Sequence, residues 1–425
     1  VEGRARFVAV AVIVMAVLLA VASFVGARHH VTPFGRPLGE DFAVFYDSGR
    51  ILNAGQTSRL YDTAYQDDLY HHLFPTLPAS STLPYVYPPV FAEALRPLAE
   101  LSYEDAFAVW LVIGMALYLV GVRLFTAGLG LRGRERVTVE VLAVSFEPFI
   151  FETWLGGQTG SIAFAALGAA FFLDTRDRPV ATGVALGLCA YKPTLLLYAV
   201  PLLVLSRSWR AVGGMVLSSG AVAAASVILT GWGANRAYVK ALVRHTSYAR
   251  GAGAVSLRLW KFVDLNSFLR LLFGDSVAIT VAVVIAVIGC VAAVSLRGRR
   301  SRDAEVRAVV WAAGITATTV VNFYVGVYDS LVVAGALIIV FATRPRGAPQ
   351  RWLPWLAAAV YVTPFVSQLT ARALHLQLLT AVLVVLLAYE LRILGAARGD
   401  RGAGPGPAQV PAAECSRPAV LAEGP

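Results

Sequence analysis

Residues 180–205 read VATGVALGLCAYKPTLLLYAVPLLVL, an apolar stretch with Lys192-Pro193 at its centre. It is long enough to cross a bilayer, and the way it folds sets the topology of the whole chain. Arg176 and Arg178 precede it; Arg207 and Arg210 follow it. One straight helix would leave these basic clusters on opposite sides of a membrane, yet short basic connectors collect on the cytoplasmic side. Proline interrupts a helix, and a lysine at mid-membrane is costly on every scale. Two short helices meeting at Lys192 remove both conflicts. The arginines then share one side and Lys192 lies at the opposite face, in a pocket or at the mouth of a cavity. A single straight helix is the alternative.

The same rule orients the remaining apolar runs, at about 7–27, 103–126, 137–153, 160–173, 211–230, 276–296, 304–322, 328–342, 352–367 and 374–393. Connectors carry Arg132, Arg134 and Arg136; Arg297, Arg299, Arg300 and Arg302; Arg344, Arg346 and Arg351; and Arg392, Arg398 and Arg401 follow the last run. With all of these inside, the reading is an all-α polytopic membrane protein of about twelve crossings, both termini cytoplasmic. The first run follows Arg4 and Arg6 and lacks an obvious small-residue cleavage site, so an uncleaved helix is expected. The run 87–101 is short and holds Pro88, Pro89 and Pro97; it is placed as a surface or re-entrant segment. Two long loops then face outward, 28–102 and 232–275. The expected domain is 1–394, followed by a Gly-, Pro- and Ala-rich tail, 395–425, that reads as disordered.

Composition agrees. Of 425 residues, 57% are hydrophobic and only 15% charged, against about 25% charged in soluble domains. The net charge of +10 sits in the connectors and does not point to nucleic acid. Cys189 and Cys290 lie in apolar runs and Cys415 in the tail, so the outer loops have no disulfide framework. His71 and His72 lack partners at metal-ligand spacing, and no metal or other cofactor is expected.

The first outer loop carries the chemistry. Glu40-Asp41 precede Phe42-Ala43-Val44-Phe45-Tyr46-Asp47-Ser48-Gly49-Arg50-Ile51-Leu52, in which Phe42, Phe45, Tyr46, Gly49 and Leu52 share a helical face. That predicts a helix lying on the membrane with Asp41 at its start. Asp41 is either a helix cap or a general base held at the water–lipid boundary. Asp47, off that face, is the runner-up base.

The order of motifs along the chain is more specific than any one of them. An acid in the first outer loop is followed by Gly55 with Leu60-Tyr61-Asp62, then Tyr87-Pro88-Pro89-Val90-Phe91, then Gly157-Gln158. After these come Gly183-Val184-Ala185-Leu186-Gly187-Leu188 leading to Lys192-Pro193, and Arg207-Ser208-Trp209-Arg210. Over roughly residues 1–345 this resembles the GT-C glycosyltransferases, and within them glycosyltransferase family 87, which includes polyprenol-phosphate-mannose-dependent mannosyltransferases of phosphatidylinositol mannoside synthesis. The resemblance implies a GT-C-type fold and a polyprenyl-phosphate sugar donor, usually mannose. It also implies inverting transfer at the outer face to a lipid or glycan acceptor, with Asp41 as base.

A lipid-phosphate leaving group needs cationic help. Lys192 is the first candidate, and Arg258 and Lys261 stand out among the basic residues of the second loop, which also holds Arg236, Lys240, Arg244, His245 and Arg250. Tyr46, Asp47, Tyr87 and Gln158 are candidates for sugar or acceptor contacts, and Glu147 and Glu152 for acceptor contacts. The turn Asn322-Phe323-Tyr324-Val325-Gly326-Val327-Tyr328-Asp329 stands where the resemblance leads one to expect a histidine; Asn322, Tyr328 and Asp329 are the candidates there. No phosphate-cradling glycine loop appears on the cytoplasmic side, which disfavours a nucleotide-sugar donor. The competing classes are a transporter or flippase for a lipid-linked sugar, which tends to show internal repeats and midplane ionisable groups, and a non-catalytic assembly subunit. No repeat is evident.

Overall fold

The computed structural model describes residues 2–77, 84–248, 258–298, 303–343 and 351–402. The chain is an all-α polytopic membrane protein, and β-structure among the described residues is confined to isolated bridges. Its helices are α1 (Glu2–Val25), α2 (Phe42–Asn53), α3 (Thr63–Leu73), α4 (Pro89–Leu95), α5 (Tyr103–Gly128) and α6 (Gly133–Val144). Then come α7 (Gly160–Asp174), α8 (Pro179–Gly187), α9 (Ala199–Leu205), α10 (Trp209–Tyr248), α11 (Leu265–Phe273) and α12 (Val277–Gly298). The last are α13 (Ala304–Val320), α14 (Val333–Thr343), α15 (Leu353–Val362), α16 (Pro364–Leu374) and α17 (Leu378–Gly402).

Among the described residues, five helices are long and apolar enough to cross a membrane: Gly3–Val25, Tyr103–Gly128, Trp209–Arg244, Val277–Arg297 and Leu378–Ala396. Shorter apolar helices fill in between them, Gly160–Asp174, Pro179–Tyr191, Pro193–Leu205, Val327–Thr343 and Leu353–Val362 among them. The long ones are apolar all round, as lipid-facing helices are. In α12, Val283 and Val294 are fully buried while Ile285 and Ile288 point outward, each 63% exposed.

Lys192 breaks the 180–205 stretch as expected. A 3-10 turn, Leu188–Tyr191, ends there and a second, Pro193–Leu196, begins. The close approaches of α8 and α10 then fix the chain direction. A Cβ on Gly183 would collide with the Ala211 carbonyl oxygen, and one on Gly187 would lie 2.6 Å from the Met215 carbonyl oxygen. Ser219 Oγ donates to the Gly187 carbonyl at 3.2 Å. Numbers rise together along both helices, so they run parallel, and the chain between them must return. It does so through Pro193–Leu205, a hairpin that brings Arg178 and Arg210 to one end. Small residues permit this approach, as in tightly packed membrane helices. At that same arginine-rich end, Arg307 pairs with Asp177 at 2.9 Å and Trp311 Nε1 donates to Asp174 at 2.9 Å, joining the start of α13 to the end of α7.

At the other end lies a loop layer: α2, α3, α4, the turns between them and the start of α5. Phe42, Phe45, Ile51, Leu60, Phe74, Tyr85, Leu95, Tyr103 and Phe107 form its core. Here the structure corrects the expectation of a helix lying on the membrane. The apolar face of α2 is buried in protein: Gly49 sits where a Cβ would be 2.9 Å from the Leu95 carbonyl oxygen and 2.8 Å from Ala99 Cβ. The segment 87–101 forms no long helix; it is built from α4 and the 3-10 turn Leu98–Glu100. α10 bends at Gly231 (φ 80°), where Asn235 Nδ2 bonds the Gly231 carbonyl at 2.8 Å; Ser226 Oγ, just before the bend, accepts from the α4 residue Val90 N at 3.2 Å.

Three other runs differ from their expected form. The 137–153 run is not one helix. It stops at Val144, where Ser145 Oγ back-bonds to the Val141 carbonyl, and Pro148 opens a wider π-helical turn, Pro148–Leu155. The 352–367 run is broken at Thr363–Pro364 and continues to Leu374, since Pro364 has no N–H to extend the ladder. Finally, α17 does not stop at the boundary placed at 394 but runs to Gly402; the remaining tail lies outside the described residues.

The parallel α8–α10 contact generates a stability prediction. Gly183→Leu places a side chain against backbone, and overpacking of this kind costs about 1–3 kcal/mol or more. Gly213 has nothing within 4 Å of a Cβ, so Gly213→Ala is the neutral control. Thermal unfolding in lipid nanodiscs should show a clear drop for the first and no drop for the second.

Candidate functional site

The site begins at a sharp turn. Gly39 and Glu40 both take positive φ (73° and 36°), a strained choice for glutamate. The turn aims Asp41 N at the Gly156 carbonyl, 3.2 Å away. Opposite, Gly157 (φ 69°) lies so close that a Cβ would stand 2.5 Å from the Gly39 carbonyl oxygen and 2.6 Å from Phe42 Cβ. Trp110 Nε1 donates to the Gly157 carbonyl at 3.0 Å. This clasp brings Gln158 to Asp41, and Gln158 Nε2 donates to Asp41 Oδ2.

Asp41 sits at the N-cap position of α2, but its side chain makes no capping hydrogen bond. Burial pushes its carboxyl above the ordinary carboxylate range, and neighbouring Glu40 adds to the rise. Lys261, the bond from Gln158 and Lys192 pull the other way. Three candidates from distant parts of the sequence, Gln158, Lys192 and Lys261, therefore converge on Asp41.

Lys192 stands at the mouth of the α8–α9 hairpin. Its Nζ donates to both carboxylate oxygens of Asp329 at 2.6 Å and lies 4.7 Å from the Tyr328 ring centroid. The lysine side chain is 16% exposed and the aspartate 4%. Tyr87 and Tyr191 form a wall beside the pair, with stacked rings 6.2 Å apart. Tyr87 OH meets Thr159 Oγ1 at 3.3 Å, and Tyr191 OH donates to the Thr159 carbonyl at 3.1 Å. Thr153 Oγ1 bonds the Tyr328 carbonyl at 2.9 Å, joining the π-helical turn to the 322–329 turn.

The second loop reaches the 322–329 turn through residues 258–264. Val263 N bonds the Val325 carbonyl at 2.9 Å, and Asp264 accepts from Val325 N at 2.8 Å while capping α11 through Ser267 N at 2.9 Å. This fixes the 3-10 turn Leu259–Lys261, with Lys261 Nζ 5.7 Å from the Trp260 ring centroid.

Other expected residues are placed elsewhere than beside Asp41 and Lys192. Tyr46 OH donates to the Leu101 carbonyl at 2.8 Å inside the loop layer. Asn322 is 1% exposed, and its amide is consumed by the Thr194 carbonyl at 3.0 Å and the Thr318 carbonyl at 2.6 Å. It holds the turn and has no donor left for a ligand. Arg258 is exposed at the outer start of its turn. Asp47 faces away from Asp41 into a small cavity lined by Val44, Ser48, Ile51, Gln66, Tyr70 and Tyr85, with Arg50 Nη1 3.3 Å away. Arg250 lies outside the described residues, as does the side chain of His245. Sequence reading singled out neither Tyr191 nor Thr159 as a candidate, and Asp264 and Gln368 escaped it altogether; each is an ordinary residue in an apolar or loop context whose partner is distant in sequence.

The chain matches the profile of Glycosyltransferase family 87 over residues 85–321, more than half its length, and it belongs to that family. No curated protein and no solved structure matches it. It is therefore a membrane glycosyltransferase, with a sugar donor and an acceptor as substrates. The matched residues include Tyr87, Glu152, Gln158, Lys192 and Lys261; Asp41 and Asp329 lie beyond its two ends.

Asp47 provides a pH prediction. Burial pushes its carboxyl up to about 7, with Arg50 opposing. A raised folded pKa means that the folded protein holds this proton more tightly than the unfolded chain. The stability it contributes is complete below the unfolded value near 4 and is lost as pH rises through about 7. Asp47→Asn should therefore gain on wild type in melting temperature between pH 5 and pH 8. An unchanged difference across that range would place the ionised carboxylate elsewhere than in this cavity.

Proposed function

We propose that this family 87 glycosyltransferase transfers a sugar, mannose by its family resemblance, from a polyprenyl-phosphate donor to an acceptor hydroxyl at the outer face of a bacterial cytoplasmic membrane, with inversion. The observation that carries this reading is the separation of charge at the site: a carboxylate, Asp41, held by Gln158, and two lysines, Lys192 and Lys261, within electrostatic reach of it. The proposed arrangement is the twelve-crossing GT-C type with the loop layer outside and the arginine-rich end in the cytoplasm.

The step balances as follows. The acceptor hydroxyl gives its proton to Asp41 as its oxygen forms a bond to the anomeric carbon. On the opposite side of that carbon the bond to the phosphate oxygen breaks, and the electron pair leaves on the lipid phosphate. A single base opposite the leaving group suffices for inversion. Asp41's raised pKa places its basicity nearer to neutral pH, as a general base requires. Lys192 and Lys261 balance the charge growing on the phosphate. Lys192 is paired with Asp329, so the donor phosphate joins or displaces that carboxylate. Tyr87 and Tyr191 offer ring faces to the sugar.

Two outcomes follow for purified enzyme supplied with radiolabelled polyprenyl-phosphate mannose and membrane lipid extract. Asp41→Asn keeps the shape and removes the base, and turnover should fall by about 10²–10⁴-fold; equal product from the variant would sink Asp41 as the base. Lys261→Gln removes the cation that draws the Asp41 carboxyl down. The acid limb of the pH–rate profile should then move to higher pH, because Asp41 keeps its proton longer. A limb that stays in place or moves to lower pH would separate Lys261 from Asp41.

A further inference from the structure

The helix α10 changes character at its bend. From Trp209 to Thr230 it is apolar, and a rise of ~1.5 Å per residue carries it about 33 Å, enough for a hydrocarbon core of about 30 Å. At Gly231 the backbone leaves helical geometry, with φ 80° and ψ 163°. Asn235 fixes the new direction. Its Nδ2 donates to the Gly231 carbonyl at 2.8 Å and to Thr230 Oγ1 at 3.2 Å, and its Oδ1 accepts from Ser226 Oγ at 2.7 Å. Residues 232–248 therefore start where a membrane span has just ended, and they run in a direction of their own.

Three faces can be told apart on this second half. One packs on the loop layer: Ala234 is buried, and the ring of Tyr238, one turn on, stands 6.0 Å from that of Tyr61. A second face is apolar and uncovered. Trp232, Val239 and Val243 recur there at helical spacing, 71%, 57% and 62% exposed. Beside it, Arg236, Lys240 and Arg244 recur every fourth residue, and all three are exposed. Among the described residues no carboxylate pairs with any of them. Of the acids on the elements packed nearby, Asp62 pairs with Arg59 at 3.5 Å and Glu93 with Arg96 at 3.2 Å. The sequence itself has no Asp or Glu from Arg178 through Val263.

Neither water nor the bilayer core suits this surface. A helix in water gains nothing by lining up a tryptophan and two valines, and a helix in hydrocarbon does not tolerate a cation on every turn. The boundary between the two suits both stripes. Tryptophan settles at headgroup depth, valine reaches the upper acyl chains, and long basic side chains extend to headgroup phosphates. An apolar stripe flanked by Lys and Arg is the pattern of a helix lying in the interface. Three cations with no acid among them complement a surface of negative charge.

We propose that residues 232–248 form an interfacial helix that binds the headgroups of anionic phospholipids through Arg236, Lys240 and Arg244, with Trp232, Val239 and Val243 resting on the acyl boundary. The proposal concerns bulk lipid of the surrounding bilayer. It depends neither on the donor and acceptor proposed above nor on which leaflet the loop layer faces.

The test reads lipid contact at this helix alone, because the arginine-rich connectors elsewhere would dominate any global measure. The full chain carrying Cys415→Ser and Val239→Cys is labelled with bimane, Cys189 and Cys290 being buried, and placed in phosphatidylcholine nanodiscs. Phosphatidylcholine brominated on the upper acyl chain should quench the label. Brominated phosphatidylglycerol should reach the same quenching at a ~3-fold lower mole fraction or less, since each cation at an anionic surface favours binding. Arg236→Gln, Lys240→Gln and Arg244→Gln together should abolish that preference while quenching by phosphatidylcholine persists. In pure phosphatidylcholine this triple variant should melt with its parent. Sodium chloride and sodium phosphate at equal ionic strength should weaken the preference alike. No quenching by either lipid, equal quenching by both, or a preference that survives the triple substitution would overturn the proposal. So would a lower melting temperature of the triple variant in pure phosphatidylcholine, which would mean that the cations bond protein. Phosphate outcompeting chloride would replace the lipid surface by a site for free phosphate.

Discussion

The clasp between residues 39–42 and 156–158 is the constraint on which the site depends. The loop layer and the membrane helices form two apolar clusters. The clasp joins them by a close backbone approach, made possible because residue 157 is glycine with φ 69° and residue 39 is glycine with φ 73°. Any Cβ at Gly157 would push the Gly39 carbonyl and Phe42 apart. The backbone bond from Asp41 to Gly156 would go, and so would the bond from Gln158 to the carboxylate. The backbone of Asp41 is therefore fixed by the clasp, and its carboxyl by the bond from Gln158.

On the other wall the governing constraint is the cost of charge away from water. An ammonium and a carboxylate, 16% and 4% exposed, persist there because each satisfies the other. Removing one partner of a buried pair leaves an uncompensated charge and costs about 3–5 kcal/mol. The pair also explains why the 180–205 stretch is broken where it is. The break at Lys192 puts the lysine at a chain reversal, where the turn after α13 can reach it. Asp264 secures that turn from the second loop by bonding Val325 N, so the cation, its counter-ion and Lys261 are held in one frame.

Most of this architecture was legible in the sequence because arginine placement and proline chemistry are local signals. Lys192-Pro193 and the flanking arginines led directly to the hairpin. Long-range partners were not legible: nothing local in Asp329 announces Lys192, and nothing in Gln368 announces Glu152, whose carboxylate accepts its Nε2. The face of α2 shows a different limit. Its apolar periodicity marks one helical face and points to a helix lying on the membrane, but lipid and protein interior are equally apolar, so periodicity does not tell that from a helix packed under α4. Asn322 and Tyr46 failed as ligand contacts for a related reason. A polar side chain near a boundary looks available in sequence, yet the backbone carbonyls around it compete first, and in both cases they won.

The two aspartates of α2 show why a perturbed pKa alone does not identify a base. Burial raises both Asp41 and Asp47. Six residues along an α-helix amount to about 600° of rotation, or 240° after full turns, so the two carboxyls look in different directions. Asp47 sees Arg50 and a small cavity walled by Gln66, Tyr70 and Tyr85. Asp41 sees an amide that orients it and two lysines within electrostatic reach. A glycosyl transfer needs the acceptor hydroxyl on one side of the anomeric carbon and the departing phosphate on the other. Of the two aspartates, Asp41 is the one within electrostatic reach of both lysines, which is what the proposed step asks of its base.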